Sequence, residues 1–352
     1  MPRPLMYLCL VAISCATAGK TSLQAETKDS VPASSREIFA KNTSGFPEGA
    51  DKEFPQFKEF VSEAFKVMVW SKDFSRGNAL AVEIEITNSN LCKIGNPPIN
   101  LKMDDRDVVL REGAGVYYAL FANSPDSRKK KNSITIFCNG KDGVKISESI
   151  PIVQKIYPVS VSKLDVKNFS DKSEPMTKET IEFIEKSQQK KLKAFISANE
   201  NLMSGYFRYP RDEHKITSPF YIKRVYERYK VFKGKKKKLK GRESYHGGTD
   251  LKGQEGAPIF AIADGVVNLA ERLFYEGNIV ILDHGHGVLS GYMHQSELLV
   301  KQGDRVKAGQ QIGKSGMTGM VTGPHLHIFL SVNGVKADAL SLINLPIRMK
   351  IN

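Results

Sequence analysis

Two glycines between a histidine and an aspartate constrain how the C-terminal part of this chain can fold. His246 and Asp250 have the spacing of a metal motif that usually lies on a helix, but Gly247 and Gly248 separate them. Glycine destabilises a helix interior by about 1 kcal/mol relative to alanine. The pair could be a metal site on another scaffold or a turn with a histidine beside it. In both cases we expect a loop that leads into a strand.

The segments around this pair alternate in the manner of β-strands. Strand candidates lie at residues 261–267, 278–282, 287–293 and 325–332. Asp264-Gly265 and Asn333-Gly334 are typical two-residue hairpin turns. No helical stretch of convincing length intervenes, so we expect an antiparallel β-sheet domain over residues 206–345.

Short strands also fill residues 65–160. The candidates are 66–70, 79–86, 116–121, 133–137 and 144–147, and clusters of turn-forming residues separate them. This spacing predicts an Ig-like antiparallel β-sandwich. It holds no catalytic constellation, so we expect a binding or spacing module. Cys92 and Cys138 lie within it, and the sequence fits a disulfide and two buried free thiols equally well.

Composition changes on both sides of the predicted sandwich. Residues 19–64 are rich in serine, threonine, lysine and glutamate, have little periodicity, and predict a tether. After Thr177, apolar residues at 181, 184, 192, 195 and 196 form a broken helical stripe, which predicts a helical connector over residues 161–205. The chain is therefore expected to be mainly β, with an N-terminal sandwich, a short helical connector and a C-terminal antiparallel sheet.

The N-terminus has the pattern of a secretory signal. Arg3 precedes an apolar run at 5–13, and Ala16-Thr-Ala18 fits a cleavage site. Residues 1–18 therefore predict that the mature protein is exported. An uncleaved leader or a lipid on Cys15 would instead attach the chain to a membrane.

The charge balance favours anionic partners. The 352 residues include 52 Lys+Arg and 38 Asp+Glu, for a formal net charge of +14. Residues 233–242 hold seven basic residues in ten. This run is either a solvated loop or an electrostatic contact with an anionic polymer. It lacks interleaved aromatic residues and belongs to no recognisable nucleic-acid module, so no nucleic-acid partner is expected.

Histidines are concentrated in the C-terminal part: six of the seven lie between residues 246 and 327. On a strand, His325 and His327 would project from the same face about 7 Å apart. A catalytic Zn²⁺ takes three nitrogen or oxygen ligands from the protein and keeps one open position. His246, Asp250 and one of the His325/His327 pair would supply that set, and His294 is a further candidate for the same pocket.

These motifs together resemble a known family. His246-x-x-x-Asp250, Tyr292-Met-His294 and Gly323-Pro-His-Leu-His327 are similar to the motifs of lysostaphin/LytM-type zinc metallopeptidases, which cut peptide cross-bridges in peptidoglycan. The resemblance covers about residues 215–345. Two departures bear on the shape of the cleft: Tyr221 stands where a glycine often follows Ser-Pro-Phe, and the basic run looks like an insertion.

The resemblance implies specific roles. His246, Asp250 and His327 would bind one zinc ion per chain, while His294 and His325 would be catalytic histidines that do not bind the metal. The implied activity is an exported endopeptidase in the periplasm or envelope of a bacterium, acting on the peptide stems of peptidoglycan. His284 and His286 are expected to be structural or exposed in a turn, and His214 receives no role.

Two other functions are compatible with parts of the sequence. A latent or non-catalytic relative could bind the cell wall and regulate another wall hydrolase, although such a protein would be expected to lack one or more ligands. A lipoyl- or biotinyl-carrier-like domain would suit the segments 264–267 and 303–309. That class needs a lysine at a tight exposed turn, which we do not find, and it leaves the histidines unexplained. The oligomeric state and the bond that is cleaved do not follow from these motifs.

Overall fold

The computed structural model describes residues 31–93, 95–113, 115–139, 144–165, 176–198, 202–204, 207–232 and 235–347. The predicted signal at 1–18, Cys15 and the first part of the predicted tether lie outside these ranges. Strands dominate the described residues, as expected from the sequence. None of the helices in the described ranges has the length and apolar content that a membrane span requires.

The N-terminal lobe is a sandwich of two antiparallel sheets. The first has the order β1-β2-β3-β7-β6 and the second β5-β4-β8-β9. The strands are β1 (Gln56–Val61), β2 (Phe65–Ser71), β3 (Ala79–Ile86), β4 (Ile99–Met103), β5 (Arg106–Val108), β6 (Arg111–Gly113), β7 (Val116–Ala122), β8 (Lys131–Cys138) and β9 (Lys145–Pro151). Cys92 and Cys138 form a disulfide within this lobe. Of the two alternatives for these cysteines, a disulfide or two buried free thiols, the structure therefore supports the disulfide.

The first sheet is buried on both faces, which explains why β2 and β3 are almost continuously apolar. Along β2, Phe65, Val67 and Val69 pack toward the second sheet of the sandwich. The alternate residues Met68 and Trp70 pack instead into a core shared with the C-terminal lobe. Because neighbouring side chains of a strand point to opposite faces, a strand between two cores must be apolar throughout.

The predicted tether is wrong for its described part. Residues 31–64 include α1 (Ala33–Thr43) and all of β1, which pairs along its full length with β2. The Asn42 side chain accepts a hydrogen bond from the Phe207 amide at 3.0 Å, and Phe57 packs on Trp70 with ring centroids 5.2 Å apart. A few widely spaced aromatic residues fix this polar segment, and such spacing produces no periodic signal.

The connector contains a strand as well as the expected helix. β10 (Val159–Asp165) precedes α2 (Lys178–Ala194), whose N-cap Thr177 accepts a hydrogen bond from the Thr180 amide at 3.2 Å. β10 pairs in parallel with β12 (Lys223–Phe232). This parallel pair departs from the expected antiparallel arrangement. The chain between the two strands includes a helix, as parallel neighbours require a long connection.

The C-terminal lobe is built on a ten-stranded antiparallel sheet with the central order β11-β15-β22-β19-β18-β17-β20. β16 and β21 pair with each other, β21 also pairs with β19, and β23 pairs with β22. The further elements are β11 (Ile216–Ser218), β13 (Lys235–Lys238), β14 (Arg242–Tyr245), β15 (Thr249–Lys252), β16 (Pro258–Phe260), β17 (Gly265–Leu273), β18 (Gly277–Asp283), β19 (Val288–Leu298), β20 (Arg305–Val306), β21 (Gln311–Ser315), β22 (His325–Val332), β23 (Val335–Ala337) and α3 (Ala339–Leu342).

Most predicted strands of this lobe are confirmed, and one is shifted. β22 has the predicted bounds, and β18 and β19 cover the candidates at 278–282 and 287–293. The candidate at 261–267 begins as a strand only at Gly265. Before that point the Ala261 amide donates to the carbonyl of Gln310 at 2.9 Å in a loop contact. The apolar run therefore marks burial, and strand pairing starts after the turn.

The two lobes share one hydrophobic core. Trp70 and Leu120 of the sandwich belong to the same buried cluster as Leu251 and Ile328 of the C-terminal lobe. Buried hydrogen bonds cross the same boundary, as the Ala79 amide donates to Ser341 Oγ at 2.8 Å. The metal-ligand candidates thus lie in a lobe that packs against the sandwich.

Candidate metal centre and active site

Strand register brings three candidate metal ligands together. Asp250 on β15 is directly paired with His327 on β22, and His246 lies just beyond the end of β14. Asp250 Oδ1 is 3.0 Å from His246 Nε2 and 2.8 Å from His327 Nδ1, and the two nitrogens are 3.0 Å apart. The three candidate ligand atoms all lie within 4.8 Å of one another. One small cation could contact all three.

Outer hydrogen bonds orient these side chains. His246 Nδ1 is 3.0 Å from the carbonyl oxygen of Pro219, so Nδ1 carries the proton and donates, which leaves Nε2 as the ligand atom. Arg224 Nη2 donates to Asp250 Oδ2 at 3.0 Å. The two carboxylate oxygens therefore have separate partners: one faces the arginine, and the other faces the histidines.

Gly248 allows the two strands to approach at this point. A Cβ at Gly248 would lie 2.3 Å from the carbonyl oxygen of Ile328 and 2.7 Å from His327 Nε2. Both distances are too short for any side chain. Gly248, the second glycine between His246 and Asp250, is thus needed for close packing at the candidate metal centre.

His294 lies beside the three candidate ligands in a strained backbone conformation. Its φ is +63°, its Nδ1 is 3.0 Å from the carbonyl oxygen of Thr318, and its amide donates to the carbonyl of Glu276 at 3.0 Å. The ring centroid is 5.0 Å from that of His325 and 6.0 Å from that of His327. Because Nδ1 donates to Thr318, Nε2 is the nitrogen left for a substrate or water.

His325 occupies the same face of β22 as His327. Its Nδ1 donates to the carbonyl of Gly323 at 2.8 Å, and its Nε2 lies 3.7 Å from Asp250 Oδ1. The structure therefore places all five predicted site residues in one cleft. The i, i+2 relation on a strand is the feature that brings the last two together.

Burial and hydrogen bonding set the charge states of the cleft. Burial raises the pKa of Asp250, but its contacts with His246 and His327 outweigh burial and hold the pKa well below its usual range. Burial lowers the pKa of His327 despite its contact with that carboxylate. Burial also lowers the pKa of His294 to about 4, against the opposing effect of its hydrogen bond to Thr318. His294 is thus neutral at neutral pH.

The donor set fits a divalent metal ion. Two imidazole nitrogens and one carboxylate oxygen are the ligands of many catalytic zinc sites, and three protein ligands leave a position open for water. The centre is also largely screened from solvent, since His246 and Asp250 are buried. These features agree with a metal-dependent hydrolytic site.

The remaining histidines stand outside this cleft. His284 is fully buried, with Nδ1 2.7 Å from the carbonyl oxygen of Asp264 and Nε2 2.7 Å from Ser290 Oγ. It is a structural residue of the lobe. His286 lies in the following turn with φ of +55°. His214 contacts Tyr209 through a hydrogen bond and is separate from the five site residues.

Sequence reasoning missed Arg224 of the cleft wall and the contact by which Tyr221 joins this wall to the sandwich. Arg224 donates to Asp250 and also to Ser218 Oγ at 2.9 Å, but in the sequence it is one more basic residue near a basic run. Tyr221 has φ of +61°, and its hydroxyl donates to the Asp126 carboxylate in the sandwich. The absence of the family's usual glycine at 221 was the one signal in the sequence. The hydrogen bond across the lobes was not predictable from it.

Comparison with known families gives a match to Peptidase family M23 over residues 244–339, which include all five site residues. These residues form an M23 peptidase domain. The resemblance noted from the histidine motifs is thereby confirmed, and M23 peptidases are metallopeptidases.

Curated relatives of the M23 domain include two proteins of Vibrio cholerae. Peptidoglycan DD-endopeptidase ShyA is 37% identical over 153 residues, which cover 43% of this chain and 33% of ShyA. Peptidoglycan DD-endopeptidase ShyB is 35% identical over 157 residues, which cover 44% of this chain and 34% of ShyB. The chain thus spans about a third of the length of these relatives.

One solved structure extends the likeness beyond the M23 domain. A Pseudomonas aeruginosa crystal structure assigned to peptidase M23 aligns with a TM-score of 0.50 and 23% identity. The alignment covers 77% of this chain and 95% of that chain. At this identity the likeness concerns the fold, and its coverage exceeds the length of the M23 domain alone.

Proposed function

We propose that this chain is an exported zinc metalloendopeptidase that hydrolyses peptide cross-bridges of bacterial peptidoglycan. The observation that carries the proposal is the convergence of His246, Asp250 and His327, with His294 and His325 beside them. The names of the relatives, which are peptidoglycan DD-endopeptidases, support the substrate class. No ligand position is substituted, which favours catalysis over a purely regulatory role.

His246, Asp250 and His327 would hold one zinc ion per chain. A bound zinc ion lowers the pKa of water towards about 7 and polarises a carbonyl group. Pro219 and Arg224 keep two of the ligands in position. Each forms a hydrogen bond with the ligand atom that faces away from the centre: Pro219 with His246 Nδ1, and Arg224 with Asp250 Oδ2.

His325 acts as the general base. Its Nδ1 proton is held by Gly323, so its Nε2 lone pair is free to take the proton of the attacking water. His294 is neutral and held by Thr318, so its Nε2 can receive the proton that His325 has taken from the water. His294 then passes this proton to the leaving amine or, while protonated, stabilises the developing oxyanion. The two histidines are close enough to exchange these roles.

Export and the domain division belong to the same proposal. The basic start and apolar run of residues 1–18 support a secretory signal, and the Cys92–Cys138 disulfide suits an oxidising envelope compartment. The sandwich at 65–160, extended to include β1, serves as a spacing or binding module. The connector at 161–205 joins it to the peptidase domain at 206–345.

Digestion of purified sacculi tests the activity. The purified protein should reduce the cross-linked muropeptides, as identified by chromatography and mass spectrometry, and a chelator should abolish the change. Added zinc should restore it. If cross-linking stays unchanged in the presence of zinc, the endopeptidase proposal is wrong.

Variants test the division of roles among the histidines. His294→Ala and His325→Ala should keep bound zinc and lose cleavage, whereas His246→Ala should lose both. His286→Asn, which keeps a residue tolerant of positive φ in the neighbouring turn, is the control and should keep both. Loss of zinc from a folded His294→Ala or His325→Ala protein would overturn the ligand assignment.

A further inference from the structure

Apart from Arg224, the residues of a small sheet beside the metal centre have no role in the proposed chemistry. β12 is its central strand and pairs with β10 on one side. On the other side β14 pairs with the first half of β12, and β13 pairs with the second half. We call these four strands the basic sheet. Between residues 223 and 245 the sequence holds eleven lysines and arginines and two glutamates. Residues 235–238 and Arg242 of the basic run therefore lie in strands of this sheet.

One face of the basic sheet is continuous with the metal centre. Arg224 pairs with Ser244, and Tyr226 pairs with Arg242, so these four residues share a face. Lys237 pairs with Lys230, which follows Arg224 by six residues on β12, so Lys237 lies on the same face. At about 3.3 Å per residue, the face extends roughly 20 Å outward from Arg224.

Arg224 joins this face to the catalytic cleft. It donates to Asp250 Oδ2 at 3.0 Å and to Ser218 Oγ at 2.9 Å. A polymer with one segment at the metal centre can therefore lie along the basic sheet with neighbouring segments.

The outer part of the sheet carries positive charge that no ion pair among the described residues neutralises. Lys235, Lys236, Lys237 and Lys238 are all exposed, and among the described residues none of the four forms an ion pair. Lys236 instead lies 4.8 Å from the Tyr229 ring centroid. A lysine or two would protect a sheet edge from aggregation, but four in succession place charge on both faces.

The arrangement fits dispersed carboxylates. Lysine is a mobile point charge on a flexible stem, suited to anions whose positions vary along a polymer. A membrane-binding surface would combine basic residues with an apolar face. The exposed Val159 and Val161 lie on β10 and pair with Lys223 and Val225, on the face opposite Arg224. The lysine-bearing strand β13 presents no apolar side chain of its own.

We infer that the basic sheet is an electrostatic docking surface for the carboxylate-bearing peptide stems of peptidoglycan. It holds the polymer against the cleft while a neighbouring stem occupies the metal centre. This inference rests on the proposed function for the identity of the polymer, and it adds a binding surface separate from the five site residues.

Binding to intact sacculi tests the inference. All proteins are full-length and carry His294→Ala, so that the polymer is not cut. The sheet variant replaces four lysines by glutamine: Lys235, Lys236, Lys237 and Lys238. The control variant removes the same charge from exposed lysines elsewhere: Lys52, Lys130, Lys131 and Lys145.

Co-sedimentation at about 0.15 M salt should show roughly tenfold weaker binding for the sheet variant, since four exposed charge contacts contribute a few tenths of a kcal/mol each. The control variant should stay within about twofold of the parent. Sacculi whose carboxylates have been converted to amides should bind the parent as weakly as the sheet variant.

Equal binding of the parent, sheet and control variants to sacculi overturns the inference. A loss confined to phosphatidylglycerol vesicles also overturns it, in favour of a membrane surface. Parallel digestion with the unsubstituted chain separates the two proposals. Cleavage without a binding difference refutes only the docking surface, and a carboxylate-dependent binding difference without cleavage refutes only the activity.

Discussion

At Gly248 a missing side chain sets the distance between two strands that carry metal ligands. β15 contributes Asp250 and β22 contributes His327, and a Cβ on Gly248 would meet the backbone of β22 at 2.3 Å. Backbone cannot rotate away as a flexible side chain can. A methyl group must therefore move one strand relative to the other, and the ligand atoms with it.

Gly248→Ala should therefore bind zinc at least about tenfold more weakly, the effect usual for a disturbed ligand support. A competition titration against a chromophoric chelator would measure the affinity. Gly45→Ala is the control, since a Cβ there meets nothing within 4 Å and its affinity should match the parent. Unchanged zinc affinity in folded Gly248→Ala would show that the strands can separate without moving the ligands.

His284 makes stability depend on pH in a predictable direction. Burial lowers its pKa, so the folded protein disfavours the proton that the unfolded chain accepts near pH 6.5. The free energy of unfolding is therefore unaffected by His284 above that pH. Below it, protonation of the unfolded chain lowers the free energy of unfolding by at most about 1.4 kcal/mol per pH unit.

His284→Gln should therefore show a smaller loss of melting temperature between pH 7.5 and pH 5.5 than the parent, whatever its absolute stability. Thermal unfolding followed by circular dichroism at the two pH values gives the comparison. His286→Asn should keep the loss seen in the parent. An equal loss in the parent and His284→Gln would mean that other groups dominate the acid sensitivity.

Residue-scale prediction succeeded where local spacing fixes geometry. The i, i+2 relation of His325 and His327 and the glycines after His246 were enough to predict that these histidines and Asp250 share one cleft. Arg224 was not predictable, because its contact with Asp250 depends on the pairing of β12 with β14. Nothing in a run of basic residues distinguishes the one that faces the metal centre.

Polar anchors hold helix α2 to the peptidase domain beside the apolar packing of Phe183 on Phe274. Ser187 Oγ accepts a hydrogen bond from the Phe274 amide at 3.1 Å, and Lys191 pairs with Glu276. Glu276 also accepts the amide of His294 through its carbonyl. The helix therefore supports the loop that holds a proposed catalytic residue.

Two adjacent lysines of α2 allow a matched test. Lys191 pairs with Glu276, whose side chain is 8% exposed, while Lys190 pairs with Glu271, whose side chain is 33% exposed. Lys191→Met should lower the free energy of unfolding by about 1–3 kcal/mol, since it leaves a buried carboxylate without its partner. Lys190→Met should change it by less than about 1 kcal/mol. Chemical denaturation measures both, and equal losses would contradict this account.

Among the elements, strands with a clear alternating pattern were predictable and those fixed by distant partners were not. β3 and β22 match their predicted bounds. β10 and α1 were missed, because each depends on a partner far away in the sequence, β12 for β10 and Phe207 for α1. The sequences of β10 and α1 themselves contain no pattern that predicts these contacts.

At the scale of the whole molecule, the shared core makes the two lobes one folding unit. Trp70 and Leu120 of the sandwich pack with Leu251 and Ile328 of the peptidase lobe. Calorimetry of the full chain should therefore show a single unfolding transition. Two resolved transitions would show that the sandwich and peptidase lobes unfold independently.

Ser341→Ala should weaken the contact between the lobes. Ser341 Oγ accepts the buried amide of Ala79, and its removal leaves that amide without an acceptor, at a cost of about 1–3 kcal/mol. Ser35 is equally buried, but its hydroxyl has no partner among the described residues. Ser35→Ala should therefore change the free energy of unfolding by less than about 0.5 kcal/mol, as measured by denaturant titration. A larger loss in Ser35→Ala than in Ser341→Ala would refute the comparison.

Tyr221 gives the rim of the cleft a mechanical link to the sandwich. Its hydroxyl is held by Asp126, and its amide donates to the carbonyl of His246 at 3.0 Å. With φ of +61°, its backbone has little freedom to absorb a displacement at either end. Through Tyr221 the sandwich loop is thus only two hydrogen bonds away from His246, and the position of this proposed metal ligand is tied to the other lobe.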